Sequence, residues 1–184
     1  ADQISTQVLE GWRKRKVARR KIISHPLSAT FGERLLYNVP MANYTTAKIG
    51  GPADALLIVH SSLELAQAAS ILWENDLPFI VLGGGSNILV SDAGIRGTVI
   101  VNRAKKVIFK EDRTPPEVWA EAGANLGIIA RQSATRGLSG LEWACGIPGT
   151  LAGAVIGNAG AHGGDIASVL ILAEILQRKD AHEV

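Results

Sequence analysis

The residues able to do chemistry in this chain are few, and the first of them are defined by having no side chain. The stretch VLGGGSNILVSDAGIRG, from Val81 to Gly97, sets three consecutive glycines directly after an apolar run. Each glycine loses more backbone freedom on folding than another residue would, so three together weaken any strand or helix and need a reason. One reason is chemical. Successive backbone N–H groups with no Cβ in the way can converge on an anion, and Ser86 and Asn87 add side-chain donors beside Gly83, Gly84 and Gly85. The other reason is geometric: a tight turn with a glycine bulge. Known cradle spacings do not choose between them. Gly83 and Gly85 fit a G-x-G-x-x-G fingerprint, but Ile88 occupies its last glycine position, and no Gly-Lys-Ser/Thr closes a P-loop.

A second bare region follows later. Gly146-Ile147-Pro148-Gly149-Thr150 leads into Leu151-Ala152-Gly153-Ala154, and then Gly157-Asn158-Ala159-Gly160-Ala161-His162-Gly163-Gly164. Two such patches can face each other across a flat, extended ligand with a phosphate linkage, or they can serve close packing of helix on sheet. Cys145 is a lone thiol with no triad pattern around it, and it reads as a small buried residue. Trp143 beside it reads as core. The four histidines are scattered, and a single cysteine builds no zinc-type spacing, so no metal site is expected.

These patches must be positioned by the elements between them. ALLIV (55–59) suits a strand buried on both faces. Ser61 with Glu64 forms a capping box for the helix that follows, with Leu65, Ala68, Ala69 and Leu72 on one face. Phe79–Leu82 is the next strand, and Ile88–Val90 and Thr98–Val101 read as two more. The strand–helix–strand order predicts a parallel pair with a crossover. In a second unit, Val107–Lys110 and Val118–Ala122 read as strands. Asn125 caps the helix LGIIARQSATR, Gly137 stops it, and VLILAEIL (169–176) reads as a strongly apolar strand.

The whole-chain totals are those of a soluble globular protein. The 184 residues are 47% hydrophobic and 20% charged, and no apolar run reaches the ~18 residues of a membrane span. The N-terminus carries no signal-peptide pattern, and the single cysteine fits a reducing compartment, so a cytoplasmic setting is expected. The net charge of +2 hides a basic run at 13–21, which holds seven of the 19 basic residues and leaves the remainder net acidic. Without interleaved aromatics it reads as a solvated arm, not a nucleic-acid or membrane contact.

Three motifs taken in order are far more specific than either glycine cluster alone. TTAKIGGPADAL, LGGGSNILVSDAGIRGTVI and GLSGLEWACGIPGTLAGAVIGNAGAHGG resemble the N-terminal FAD-binding part of the UDP-N-acetylenolpyruvoylglucosamine reductase (UDP-N-acetylmuramate dehydrogenase, MurB) family of peptidoglycan synthesis. The resemblance covers residues 36–178. It implies an α+β, two-subdomain FAD-binding fold of the vanillyl-alcohol-oxidase (PCMH) type, with subdomains at 38–103 and 104–184 behind a helical basic lead-in at 1–37. By that likeness Gly83, Gly84, Gly85, Ser86 and Asn87 cradle the FAD pyrophosphate, and Ile147, Pro148, Gly149 and Thr150 line the flavin. Gly153, Ala154, Asn158, Gly160, Ala161, His162 and Gly163 continue the wall, and Thr46, Lys48, Ile49 and Gly50 sit in the first flavin-contacting loop.

The family reaction takes hydride from NADPH to FAD and on to the enolpyruvyl double bond of a UDP-sugar. The resemblance places the family's catalytic arginine, serine and glutamate, and its substrate domain, beyond residue 184, so no catalytic residue is assigned. One departure stands out: His162 replaces the tyrosine usual in GAYG. The pyrophosphate loop itself contains no histidine, which implies noncovalent FAD. Two other readings stay open: a different FAD oxidase of the same fold, and a flavin- or nucleotide-binding module without catalysis.

Overall fold

The computed structural model describes residues 25–178. The basic run at 13–21, and most of the lead-in expected at 1–37, lie outside the described residues. From His25–Pro26 the described chain makes a single α-helical turn, α1 (Ser28–Phe31), and β1 (Leu35–Pro40) soon takes over, so residues 28–37 of the expected helical lead-in are mostly not α-helix. β2 (Pro52–Val59), α2 (Ser62–Glu74), β3 (Phe79–Leu82) and β4 (Ile95–Asn102) complete the first half.

The sheet order is β1-β2-β4-β3, with β1 antiparallel to β2 and both β2 and β3 parallel to β4. The predicted parallel pair is therefore corrected: β2 and β3 run parallel but are not neighbours, because β4 enters the gap between them. β4 can take that place because its Thr98 to Asn102 are all buried and match a strand covered on both faces. ALLIV behaves as predicted. Leu56 and Leu57 have no exposed surface. Leu57, Val59, Leu72 and Ile100 share one core, and Leu56, Val99, Val101, Leu82 and Met41 the other. Ile88–Val90 is not a strand. Ile88 and Val90 pack against the second core as loop anchors while Leu89 is left exposed, so the segment is held by side chains instead of a ladder.

α2 starts as the sequence demands. The Ser61 hydroxyl accepts from the Glu64 N–H at 3.2 Å. The return arm of the capping box is displaced by one residue, since Glu64 accepts from the His60 N–H at 2.8 Å. Glu64 also takes a two-pronged pair from Arg34, Nη1 to Oε1 at 2.7 Å and Nη2 to Oε2 at 2.8 Å. The Arg34 hydrogen bonds, and then the His60 amide, lower the Glu64 carboxyl to about 2. Because the folded value lies below the ordinary value of 4.5, this stabilisation is complete above 4.5 and is lost as pH falls toward 2. We expect Glu64→Gln to flatten the fall of the urea midpoint across that acid window. Parallel midpoint-against-pH curves for the two proteins would show that the pair contributes nothing.

The second half holds a hairpin, β5 (Val107–Lys110) with β6 (Glu117–Ala120), and the helix α3 (Leu126–Thr135). Asn125 caps α3 by accepting from the Ile128 N–H at 2.9 Å. Gly137, at φ +72°, ends it: the Gly137 and Leu138 amides return to the Ala134 and Ser133 carbonyls, the two bonds of a Schellman stop. A short helix α4 (Leu151–Ile156), a two-residue hairpin of β7 (Gly160–Ala161) with β8 (Gly164–Asp165), and the single turn α5 (Ile166–Val169) follow. Leu126, Ala130, Ala144, Ala154 and Ile166 form a third core.

The strand expected at 169–176 is absent. Val169 closes α5, residues 170–178 have no regular structure, and Leu172 is 84% exposed. Apolar character makes a strand only where a neighbouring backbone supplies partners for its N–H and C=O groups, and no described strand lies alongside.

Candidate functional site

Three loops meet where β3 runs out. The parallel strands β2, β3 and β4 end together, with Val59 level with Asn102 and Leu82 level with Val101. The carboxyl edge of such strands is where open sheets bind ligands. The glycine loop 83–87 leaves from this edge. The 41–51 loop lies against it, with the Thr46 N–H donating to the Gly85 carbonyl at 2.9 Å. That loop is braced by Thr45, which is buried and donates from Oγ1 to the Ile49 carbonyl at 2.8 Å.

The third loop, 146–150, arrives from the second half. Its Gly149 carbonyl accepts from the Leu126 N–H at 3.2 Å. Thr150 bridges Asn125 and caps α4 by accepting from the Gly153 N–H at 3.4 Å. A recess of about 360 Å³ opens beside the junction, lined by Ala47, Ser86, Asn87, Ile88 and Leu89.

The three glycines have different reasons. A Cβ on Gly83 would overlap the Thr150 hydroxyl, and one on Gly85 would overlap the Tyr44 carbonyl. Gly85 also sits at φ +71°, a conformation that costs any other residue. These two are bare because protein packs on them. Gly84 is not. It is exposed, and a Cβ there would come only to 3.5 Å from Gly149 Cα, an ordinary contact. The fold leaves Gly84 free to carry a side chain, yet it carries none.

The chemistry around Gly84 suits an anion. Among the described residues, the N–H groups of Gly84, Gly85, Ser86 and Asn87 donate to no protein acceptor, nor do the Ser86 and Asn87 side chains. The segments 44–50, 83–87 and 146–150 contain no Asp or Glu. Arg103 donates from Nη1 to the Gly83 carbonyl at 2.8 Å, and it forms no ion pair among the described residues. Sequence reasoning missed Arg103, because nothing along the chain separates it from Lys105 and Lys106. Only the fold turns it back onto the glycine loop. Four free amides, a bare Gly84 and an acid-free wall together fit a diphosphate.

The other predicted residues divide. Thr46, Gly83 to Asn87, Gly149, Thr150 and Gly153 come together at the junction. Lys48, at φ +58°, and Ile49, 49% exposed, lie on the 41–51 loop, where Gly50 packs its backbone on Val90. Ile147 packs against the third core and Pro148 is exposed, while Ala154 is buried within that core. Asn158 is engaged elsewhere: its side chain donates to Asp165 and accepts from the Ala167 N–H at 2.9 Å. Gly160, Ala161, His162 and Gly163 belong to the β7–β8 hairpin, which packs on Trp143, where a Cβ on Gly164 would lie 2.5 Å from the indole. His162 is exposed at φ +52°. Among the described residues no cluster of His, Cys, Asp or Glu is placed to hold a metal ion, and no helix is long and apolar enough to cross a membrane.

Comparison with known proteins agrees with this geometry. The FAD binding domain family matches residues 53–179. The UDP-N-acetylenolpyruvoylglucosamine reductase of Rubrobacter xylanophilus is 48% identical over 141 residues, which is 77% of this chain and 47% of that protein. The reductase of Streptococcus mutans is 42% identical over 147 residues, 80% of this chain and 47% of that protein. The chain thus spans about half the length of the curated relatives it matches. Among solved structures, the reductase MurB of Thermus caldophilus aligns with a TM-score of 0.54 at 35% identity, covering 70% of this chain and 44% of that one. Alkyldihydroxyacetonephosphate synthase aligns at 0.54 and 22% identity over 78% of this chain and 31% of its own, a likeness of fold alone. The shared fold is the two-subdomain PCMH type. Two of the three junction loops, 83–87 and 146–150, lie inside the matched segment, and the chain belongs to the FAD binding domain family, in the form that UDP-N-acetylenolpyruvoylglucosamine reductases carry.

Proposed function

We propose that this chain is the cofactor-holding part of an FAD-dependent reductase of peptidoglycan precursor synthesis, one that draws on NADPH and reduces UDP-N-acetylenolpyruvoylglucosamine to UDP-N-acetylmuramate in the cytoplasm. Noncovalent FAD would lie between the halves, 38–103 and 104–184. The observation that carries this is the acid-free junction of three loops around Gly84, with four amides lacking protein acceptors.

In this reading the amides of Gly84 to Asn87 hold the diphosphate, and the Ser86 hydroxyl and Asn87 amide donate to it. Arg103 keeps the Gly83 carbonyl turned away from the anion by occupying its lone pair, and it adds a positive charge at the same edge. Gly149, Thr150 and Gly153 bring the second half against the first, with Ile147 and Pro148 as an apolar wall. When bound, FAD supplies the ability to accept and release hydride; the protein's part is to hold and shield it. The residues that bind the UDP-sugar and protonate the reduced product are assigned to no position between 25 and 178.

The test is an absorption spectrum of the purified chain, followed by heat release and identification of any flavin. A flavin band, with FAD freed by heat, is the expected result. A folded, colourless protein that also rejects added FAD would overturn the reading.

A further inference from the structure

Glu121 lies just past β6, in the second half, yet its carboxylate serves the first. Oε1 accepts from the Ser62 N–H at 3.0 Å and from the Ser62 hydroxyl at 3.1 Å, at the first turn of α2. Oε2 accepts from the Lys106 N–H at 2.9 Å, in the segment that crosses between the halves. The Glu121 N–H closes the ring by donating to the Lys106 carbonyl at 2.9 Å. One side chain therefore ties the base of the β5–β6 hairpin to the start of α2, 59 residues earlier in the chain.

The place of this joint matters. α2 begins directly after β2, the crossover begins directly after β4, and the glycine loop directly after β3. All three leave the same carboxyl edge of the parallel strands. Arg103 ties that edge together, donating from its backbone N–H to the Val59 carbonyl and from its guanidinium to Gly83, both at 2.8 Å. On the far side, the Ala122 and Ala124 carbonyls that follow Glu121 accept from the Ala152 and Leu151 amides at the start of α4. A rotation at Glu121 would move Gly149 and Thr150 relative to Gly83 and Gly84.

Burial pushes the Glu121 carboxyl up, and the hydrogen bonds from Lys106 and Ser62 outweigh it, leaving the group below its ordinary range. The charged form is what the joint holds. Two backbone amides and the Ser62 hydroxyl all donate inward, and a carboxylate is acceptor-only, so no uncharged isostere satisfies both ends.

We propose that Glu121 is a positioning residue: its carboxylate latches the start of α2 to the crossover, and so fixes the spacing of the two glycine-lined walls. The effect on flavin affinity rests on the FAD reading above; the latch itself does not.

The decisive variant is Ser62→Pro. It removes both donors from Oε1 while leaving α2 intact, because proline is favoured at a helix's first position and Ser61 before it is already extended, at φ −144° and ψ 158°. Glu121→Gln is the second variant, which keeps the shape and loses one acceptor. Spin labels go on the full chain at Gln67→Cys in α2 and Thr135→Cys in α3, both exposed, in a Cys145→Ser background. We expect both variants to broaden the distribution of label-to-label distances, at an unchanged helix content. FAD affinity should fall on the order of tenfold, the value of one lost charge-assisted contact.

Unchanged, narrow distance distributions in both variants would overturn the latch. Broadening without any loss of FAD affinity would overturn its role in positioning the walls. If the unsubstituted chain binds no FAD, the cofactor reading fails, and the distance distributions still decide the latch.

Discussion

Gly85→Ala is expected to destabilise the chain by about 3 kcal/mol, while Gly84→Ala, one residue away, leaves stability within about 0.5 kcal/mol. The difference comes from what surrounds each glycine. At Gly85 an added Cβ overlaps the Tyr44 carbonyl and lies 3.0 Å from Thr45 Cα, so backbone must move, and the φ of +71° strains any L-residue as well. At Gly84 the nearest atom is 3.5 Å away and the backbone is ordinary. The functional effects run the other way. If the proposed cradle holds the diphosphate, a methyl group at Gly84 lifts it off the amides of 84–87, and the loss of two charge-assisted hydrogen bonds is expected to weaken FAD binding about hundredfold. Urea denaturation and a flavin titration on the two variants measure both halves. Gly84→Ala with unchanged FAD affinity would remove the cradle. Gly85→Ala with an unchanged urea midpoint would contradict the packing of Tyr44 and Thr45 against the loop.

The second large effect lies in the sheet that carries the loop. Leu57→Ala should cost about 3 to 4 kcal/mol, a large share of the ~5–15 kcal/mol that holds a domain together. Leu57 has no exposed surface and packs in the core that includes Val59, Leu72 and Ile100. It sits on β2, which is paired on both sides, with Leu35 on β1 and with Ile100 on β4. Neither neighbouring strand can shift inward to close the cavity without breaking a ladder. Leu63→Ala is the control. Leu63 is 78% exposed on α2, and its truncation should change stability by no more than about 0.5 kcal/mol. Equal urea midpoints for the two leucine variants would contradict the two-faced burial of β2.

What the sequence by itself determined is local. The β-branched and leucine-rich run at 55–59 contains a buried strand, since every one of its residues must avoid water. Ser61, Asn125 and Gly137 bound their helices, because a cap is decided by a few neighbouring backbone groups. The three motifs in order were enough to point to the family, as each is centred on a glycine-bearing loop flanked by the element it leads into. The tertiary structure decided whatever depends on a partner. It placed β4 between β2 and β3, and it left 169–176 without a strand, since a strand exists only beside another strand. It separated Gly84, which no protein atom requires to be bare, from Gly83 and Gly85, which Thr150 and Tyr44 do. It turned Arg103 onto the glycine loop and carried Glu121 to Ser62. Periodicity reports how a segment meets water, while these contacts join residues whose separation along the chain carries no trace of their meeting.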